Sequence, residues 1–270
     1  MLLSAQYIIN YRERVIVDTF NLTDISSTLN LKATDFYIEY GNNSNMHIAL
    51  GQQCLVCKQS SNFAMCQYCF NDLTLFDIER YHHNLMLSPK VSSGLIKVDF
   101  TQVLALADYQ WPLSKFLAGL KFSRQVPNAH ILAALFVAHC LSAIPVLPQL
   151  IIPIPLHKNR YLLRKFNQSI ELTKQICKLV QLNMDTSIIS RCKSTPAQSN
   201  LSASQRHKNL RNAFEIDAAA QQRLKGYQHV ALFDDVITTG STMNCAYRCL
   251  RKHNPDLRID VWSICLTLAH

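Results

Sequence analysis

Residues 230–242 read VALFDDVITTGST, and no other stretch of this chain restricts its fold as tightly. The apolar run 230–233 has the character of a strand buried on both faces, and such strands belong to parallel sheets covered by helices. Asp234 and Asp235 follow where that strand ends, then a hydroxyl-rich turn containing Gly240, then helix-like sequence over residues 241–254. In an open α/β sheet the ligand crevice lies beyond the carboxyl ends of the strands, so both carboxylates are expected at its mouth. There they can accept hydrogen bonds from sugar hydroxyls. The turn brings the hydroxyls of Thr238, Thr239, Ser241 and Thr242, with successive backbone N–H groups, to the positive end of a helix, and Gly240 lets the backbone approach a ligand closely. Acceptors for a ribose and donors for a phosphate, only a few residues apart, make a pocket for a sugar phosphate. The plainer alternative is a strand whose acids merely cap the next helix, although a cap needs only one acid.

The segment resembles the 5-phosphoribosyl-1-pyrophosphate (PRPP) signature of type I phosphoribosyltransferases. That resemblance implies that Asp234 and Asp235 hold the ribose 2′ and 3′ hydroxyls, and that Thr238, Thr239, Gly240, Ser241 and Thr242 wrap the 5′-phosphate.

Composition supports a globular reading. A chain of 270 residues with 49% apolar content can bury one substantial core plus a small satellite domain. Arg12, Glu13 and Arg14 interrupt the N-terminus early, so a secretory signal is not expected. Residues 129–156 contain no Lys, Arg, Asp or Glu, yet His130, His139, Pro145, Pro148 and Gln149 break the run short of the roughly 20 apolar residues a membrane span needs. A buried helix over 127–143 and a core strand over 150–154 are expected there instead, with no span. The ten cysteines read as reduced thiols of a cytoplasmic protein. Four form a metal-ligand pattern, while Cys140, Cys177, Cys245 and Cys265 have the setting of ordinary core residues.

The formal charge of +9 is unevenly spread. Residues 1–155 carry ten basic and ten acidic side chains, residues 212–270 six of each, and residues 156–211 eleven basic against two acidic. Two readings stand: a solvated face, or a strip facing a polyanion such as pyrophosphate, single-stranded DNA or RNA.

Cys54-x2-Cys57, eight residues, then Cys66-x2-Cys69 is a pair of knuckles. Each turn presents two thiolates, and two facing turns supply the tetrahedral sulfur site that Zn²⁺ prefers. Four thiolates fill the coordination shell, so the metal is expected to be structural. Incidental buried cysteines or a redox CxxC are the competing readings. Residues 1–45 match no motif; they are expected to be an extension, or the product of an upstream start with Met46 the alternative. The domain plan is therefore an unassigned extension over 1–45, a zinc ribbon-like module over 46–75, a linker over 76–110 and an α/β domain over 111–270.

Within that domain the pattern becomes βαβ-like. An amphipathic helix is expected over 111–122, with Lys121 near its end, where it either approaches substrate or, as is more usual, stays solvated. Further helices are expected over 167–182 and 241–254, and strands over 150–154, 187–192, 214–216, 230–233 and 259–268. Alternation of this kind implies a mainly parallel sheet.

The loop IPIPLHKNRYLLRKFNQS (152–169) resembles the one that phosphoribosyltransferases use to hold pyrophosphate, and also the RGFNQ signature of the ComF family. Residues 195–214 fit that family's second block, TxxQxxLSxxxRxxNLxxAF. With the knuckles ahead and VALFDDVITTGST behind, the chain is similar to ComF/GntX-type proteins from about Cys54 onward, a zinc ribbon joined to a phosphoribosyltransferase-like domain. Lys165 stands where the family has glycine, which adds charge but removes the residue best suited to positive φ. The resemblance implies pyrophosphate contacts by His157, Lys158, Arg160 and Arg164, and a mobile loop with Gln198 and Arg206. Asn167 and Gln168, opening a helix, are expected to donate to phosphate or a base. It also implies PRPP with Mg²⁺ and partners that include single-stranded DNA and a competence helicase-like ATPase. Two classes of function follow: transfer of the ribosyl phosphate in the service of DNA uptake or DNA use, or sensing of PRPP and gripping of single-stranded DNA without turnover.

Overall fold

A computed structural model describes residues 53–61, 64–95, 97–123, 126–156, 166–192 and 213–267. The chain divides into two compact units between Thr74 and Leu75.

The described part of the first unit is two tight turns and the short helix α1 (Gln67–Asn71). In the first turn Cys54 N–H donates to the Gln59 carbonyl at 2.8 Å and Lys58 N–H to the Cys54 carbonyl at 2.9 Å, with Lys58 at φ 65. Leu55 N–H donates to the Ala64 carbonyl at 2.8 Å and ties the two turns together. Val56, Ala64, Met65 and Phe70 are buried beneath them. So few apolar side chains cannot hold a fold by themselves, and modules of this size normally add a metal or disulfides.

The second unit contains, in chain order, α2 (Pro89–Gly94), β1 (Val103–Asp108), α3 (Leu113–Ser123), α4 (Val126–Phe136), β2 (Leu150–Pro153), α5 (Gln168–Val180), β3 (Asn183–Met184), β4 (Ser190–Arg191), β5 (Phe214–Glu215), α6 (Ala218–Leu224), β6 (His229–Ile237), α7 (Ser241–His253) and β7 (Arg258–Leu266). Five strands form one sheet in the order β1-β7-β6-β2-β3, and every neighbouring pair is parallel. The expected α/β, phosphoribosyltransferase-like architecture with helices flanking a parallel sheet is the observed one. Its centre is aromatic: Phe136 packs edge-on against Phe233 with centroids 5.9 Å apart and tilts against Trp262 at 5.8 Å, which fastens α4 to β6 and β7. The apolar stretch after residue 126 is thus spent on the core, and it continues as one π-helical turn, Val137–Leu141. No helix among the described residues is long and apolar enough to cross a membrane.

From β2 the chain runs outward to β3 at one edge, then returns to place β6 on the opposite side of β2. Connections therefore diverge above the carboxyl ends of β2 and β6. That is the topological switch point, where an open α/β sheet leaves a crevice for ligand.

Two local expectations give way. The stretch 76–110, read as linker, supplies β1, whose six residues are all buried and pair with β7; Phe76 N–H also donates to the Leu106 carbonyl at 3.0 Å. Alternating Leu and Ala in VLALAD carry little intrinsic strand preference, and the strand is made by its place in the sheet. The strand expected over 187–192 shrinks to β4, which pairs antiparallel with β5 in a separate two-stranded sheet. Ser187 donates to Asp185 Oδ1 through both its N–H (2.7 Å) and its hydroxyl (2.6 Å), and that local turn delays the strand.

Candidate functional site

Strand β6 is fully buried through Phe233, and at its carboxyl end the side chains turn polar. Asp234 lies opposite Ser263 of β7, and Phe233 opposite Pro153 of β2, so the acids lie just past the last pairing with β2, at the switch point; the strand expected to end at Phe233 runs on through them to Ile237 along β7.

What holds them comes from elsewhere in the chain. Asn167 caps α5: its Oδ1 accepts from Ser169 N–H at 3.0 Å, and its Nδ2 donates to the Ile154 carbonyl at 2.9 Å. The cap pins the start of α5 to the end of β2 and aims Ser169 at the acids. Ser169 Oγ then donates to Asp234 Oδ1 at 2.7 Å, and Asp235 N–H donates to the same oxygen at 2.9 Å. The side chain of Asn167, expected to meet a ligand, is committed to this cap, while Gln168 is buried behind it. Across the pair, Lys121 at the end of α3 places Nζ 2.7 Å from Asp235 Oδ2, with only 21% and 12% of the two side chains exposed.

Burial pushes the Asp234 carboxyl up to about 7, the neighbouring charge of Asp235 adds to the rise, and the Ser169 and Asp235 donors with Lys121 pull it partly back. Burial likewise opposes charge on Lys121, yet Asp235, Asp234 and Tyr109 outweigh it and hold the ammonium above the ordinary lysine value.

Beyond the acids the chain makes the expected turn. Gly240 has φ 74 at the N-cap of α7, and a Cβ there would lie 2.9 Å from Val98 Cγ1 and 3.2 Å from Leu95 Cδ2. Glycine is needed on both counts. Thr238 and Thr239 are exposed, Ser241 and Thr242 are half-buried, and Thr239 Oγ1 and Ser241 Oγ are hydrogen-bonded at 2.8 Å. The first amides of α7 have no carbonyl one turn back to receive them, which leaves donors for an anion. Asn244 braces the turn from beneath: Oδ1 accepts from Asp99 N–H at 2.7 Å and Nδ2 donates to the Lys97 carbonyl at 3.3 Å. Arg248 grips the Asp99 carboxylate with two donors, one of them at 3.0 Å.

His157, Lys158, Arg160, Arg164, Gln198 and Arg206 lie outside the described residues. Ser169 and Asn244 are the site residues that sequence reasoning missed, and nothing local marks either; Lys121, for which the sequence left a substrate-facing or a solvated position open, is instead paired with Asp235.

In the first unit the sulfurs of Cys54, Cys57, Cys66 and Cys69 all lie within 4.8 Å of one another. A tetrahedral zinc with bonds of about 2.3 Å sets its sulfurs roughly 3.8 Å apart, so the cluster needs little adjustment to take the ion. Cys57 and Cys66 sulfurs approach to 3.7 Å across the two turns. Cys54 Sγ accepts from Val56 N–H at 3.4 Å and Cys66 N–H at 3.3 Å. Burial raises the Cys54 thiol, but the N–H donors of Cys66, Cys57 and Val56 together bring it down to about 6, whereas burial and the neighbouring thiols push Cys69 up. Such backbone donors are the outer shell that steadies a metal-bound thiolate. The four cysteines can hold zinc, and a filled sulfur shell makes the ion a cross-link.

No family model matches the chain. Over 225 residues, 82% of this chain and 93% of the relative, it is 33% identical to Competence protein F of Haemophilus influenzae. The chain belongs to the ComF family. It is also 36% identical over 171 residues to the DNA utilization protein YhgH of Escherichia coli, covering 62% of this chain and 73% of that protein. The corresponding protein of Salmonella typhi is 34% identical over 172 residues. In this ComF-family chain the four-cysteine cluster and the acid pair occupy separate compact units.

Proposed function

We propose that this ComF-family protein binds PRPP with Mg²⁺ at the acid pair and the turn behind it, and acts in DNA uptake or in the use of DNA as a nutrient. One observation carries the binding claim. Asp234 Oδ1 accepts from Ser169 and the backbone, and Asp235 Oδ2 faces the Lys121 ammonium at 2.7 Å; among the described residues no hydrogen bond engages the other oxygen of either carboxylate. Two adjacent acceptor oxygens, each on a carboxylate held from its other side, suit the vicinal hydroxyls of a ribose. The turn 238–242 then receives the 5′-phosphate through its amides and hydroxyls.

Transfer is the chemistry that such an arrangement would support. With the diol on Asp234 and Asp235 and the phosphate at the start of α7, the ribose is gripped at both ends while C1′ gains positive charge and the bond to pyrophosphate breaks. Mg²⁺, bound mostly by the pyrophosphate, would neutralise the departing charge. His157, Lys158, Arg160 and Arg164 are assigned to the pyrophosphate, and Gln198 and Arg206 to a loop that excludes water. The relatives named for competence and DNA utilization support the cellular role. None of the ten cysteines is in a disulfide, which suits the cytoplasm.

A second reading rests on the excess of basic residues over 156–211: the protein senses PRPP and grips single-stranded DNA, with a helicase-like ATPase as partner, without turning PRPP over. Calorimetry with PRPP and Mg²⁺ tests what both readings share. Asp234→Ala combined with Asp235→Ala is expected to weaken binding about 100-fold or more, the equivalent of two charge-assisted hydrogen bonds. Unchanged affinity removes the pocket. Pyrophosphate released on adding bases or nucleic acids favours the enzyme, and its absence favours the sensor.

A further inference from the structure

Among the described residues, the cation paired with the acids arrives from α3, a helix that adjoins neither β6 nor the turn in sequence. We propose that Lys121 is a positioning residue of this site: it fixes the Asp235 carboxylate by one oxygen and cancels one of two adjacent negative charges, so that one oxygen of each acid stays presented to a diol. The proposal rests on the pentose-phosphate reading for its ligand, but its structural half concerns the protein alone.

Three observations support it. The Nζ to Oδ2 distance is 2.7 Å, in the range of a charge-assisted hydrogen bond. Both side chains are largely buried, so the pair is poorly screened by solvent and each partner depends on the other. The Asp234 side is fixed by an unrelated device, the Ser169 hydroxyl placed by the Asn167 cap, so each acid has its own tether. Without Lys121, two neighbouring carboxylates would have, among the described residues, a hydroxyl and an amide dipole for compensation. One would then take up a proton, and a protonated acid is a poorer acceptor for a sugar hydroxyl.

Among the described residues, few charged or titratable groups face the pair. Lys121 comes from α3, Ser169 from α5, and Tyr109 acts on Lys121 from just beyond β1. Cys265 of β7 is under the influence of Asp235, Asp108 and Lys121, with burial its larger perturbation. Lys121 is the cation among them that is bonded to an acid of the pair.

The test uses the full-length protein and two readouts. Carboxyl ¹³C shifts of Asp234 and Asp235 are followed against pH in the ligand-free protein, in wild type, Lys121→Met and Lys121→Arg. Lys121 lowers the Asp234 carboxyl by its charge and compensates the neighbouring Asp235, so its loss is expected to raise the Asp234 midpoint by about one pH unit in Lys121→Met, with recovery in Lys121→Arg. Calorimetry with PRPP and Mg²⁺ is then run at pH 7 and pH 8.5. Lys121→Met is expected to bind about tenfold more weakly at pH 7 and to regain most of that at pH 8.5, a recovery that a merely structural defect would not show. An Asp234 midpoint that stays put in Lys121→Met overturns the proposal, whatever the binding data say. A midpoint that moves in a protein to which PRPP does not bind keeps the role of Lys121 and removes the PRPP reading.

Discussion

The cysteine cluster and the acid pair are built on opposite plans. All four sulfur ligands come from residues 54–69, and the turns that carry them are closed by hydrogen bonds among near neighbours. The acids are adjacent in the chain too, but Ser169 reaches Asp234 from 65 positions away, and Lys121 reaches Asp235 from a different helix again. Local spacing suffices when the ion itself organises its ligands. A pocket for an organic anion must be organised before the ligand arrives, and long-range contacts are what the fold has available for that.

This contrast sets the order of expected effects. Cys54→Ser is expected to be the most severe, because losing one thiolate removes the cross-link on which the small unit depends. Bound zinc, measured by atomic absorption, should fall from about one ion per chain to near zero. Retention of the full zinc content would mean that the ligands are misassigned.

The second effect depends on pH. The folded-state Asp234 holds its proton up to about pH 7. An unfolded aspartate lets it go near pH 4. The folded value is the higher one, so the protonated group's stabilising contribution is complete below about pH 4 and is lost as pH rises through about 7. The stability of wild type relative to Asp234→Asn should accordingly decrease by roughly 4 kcal/mol between pH 4 and pH 8, measured by urea titration. A difference independent of pH would show that burial does not perturb this carboxyl. Gly240→Val comes next. The left-handed φ and the 2.9 Å approach to Val98 Cγ1 together predict a loss of about 3 kcal/mol in urea unfolding of the second unit. A tolerated valine would show that the turn is not held against residues 95–100. Smallest is Ser169→Ala, which removes one donor from Asp234 Oδ1 and is expected to weaken PRPP binding roughly fivefold. No change there would leave Asp234 held by its backbone contact alone.

The same contrast explains what could be read in advance. Strand β6, its acids, the Gly240 turn and helix α7 follow from thirteen consecutive residues, 230–242, in which burial, polarity and glycine occur in the required order. The knuckle cysteines are legible for the same reason. Strand β1 was hidden because VLALAD has no period that separates strand from helix, and only pairing with β7 decides it. Asn167 stood at a helix start, where a side chain can serve a ligand or a cap, and the Ile154 carbonyl settles the matter in favour of the cap. Lys121 and Asp235 meet only after α3 has been folded onto the carboxyl end of the sheet, and no spacing rule links them.

The central claim is that two tethered aspartates and the turn behind them receive a phosphorylated pentose. A crystal of the protein grown with PRPP and Mg²⁺ tests it most directly. Vicinal ribose hydroxyls should lie about 3 Å from Asp234 Oδ2 and Asp235 Oδ1, with the 5′-phosphate on the amides of residues 238–242. A ribose bound away from the acids, or a turn whose amides are spent on the chain's own carbonyls, would contradict the account.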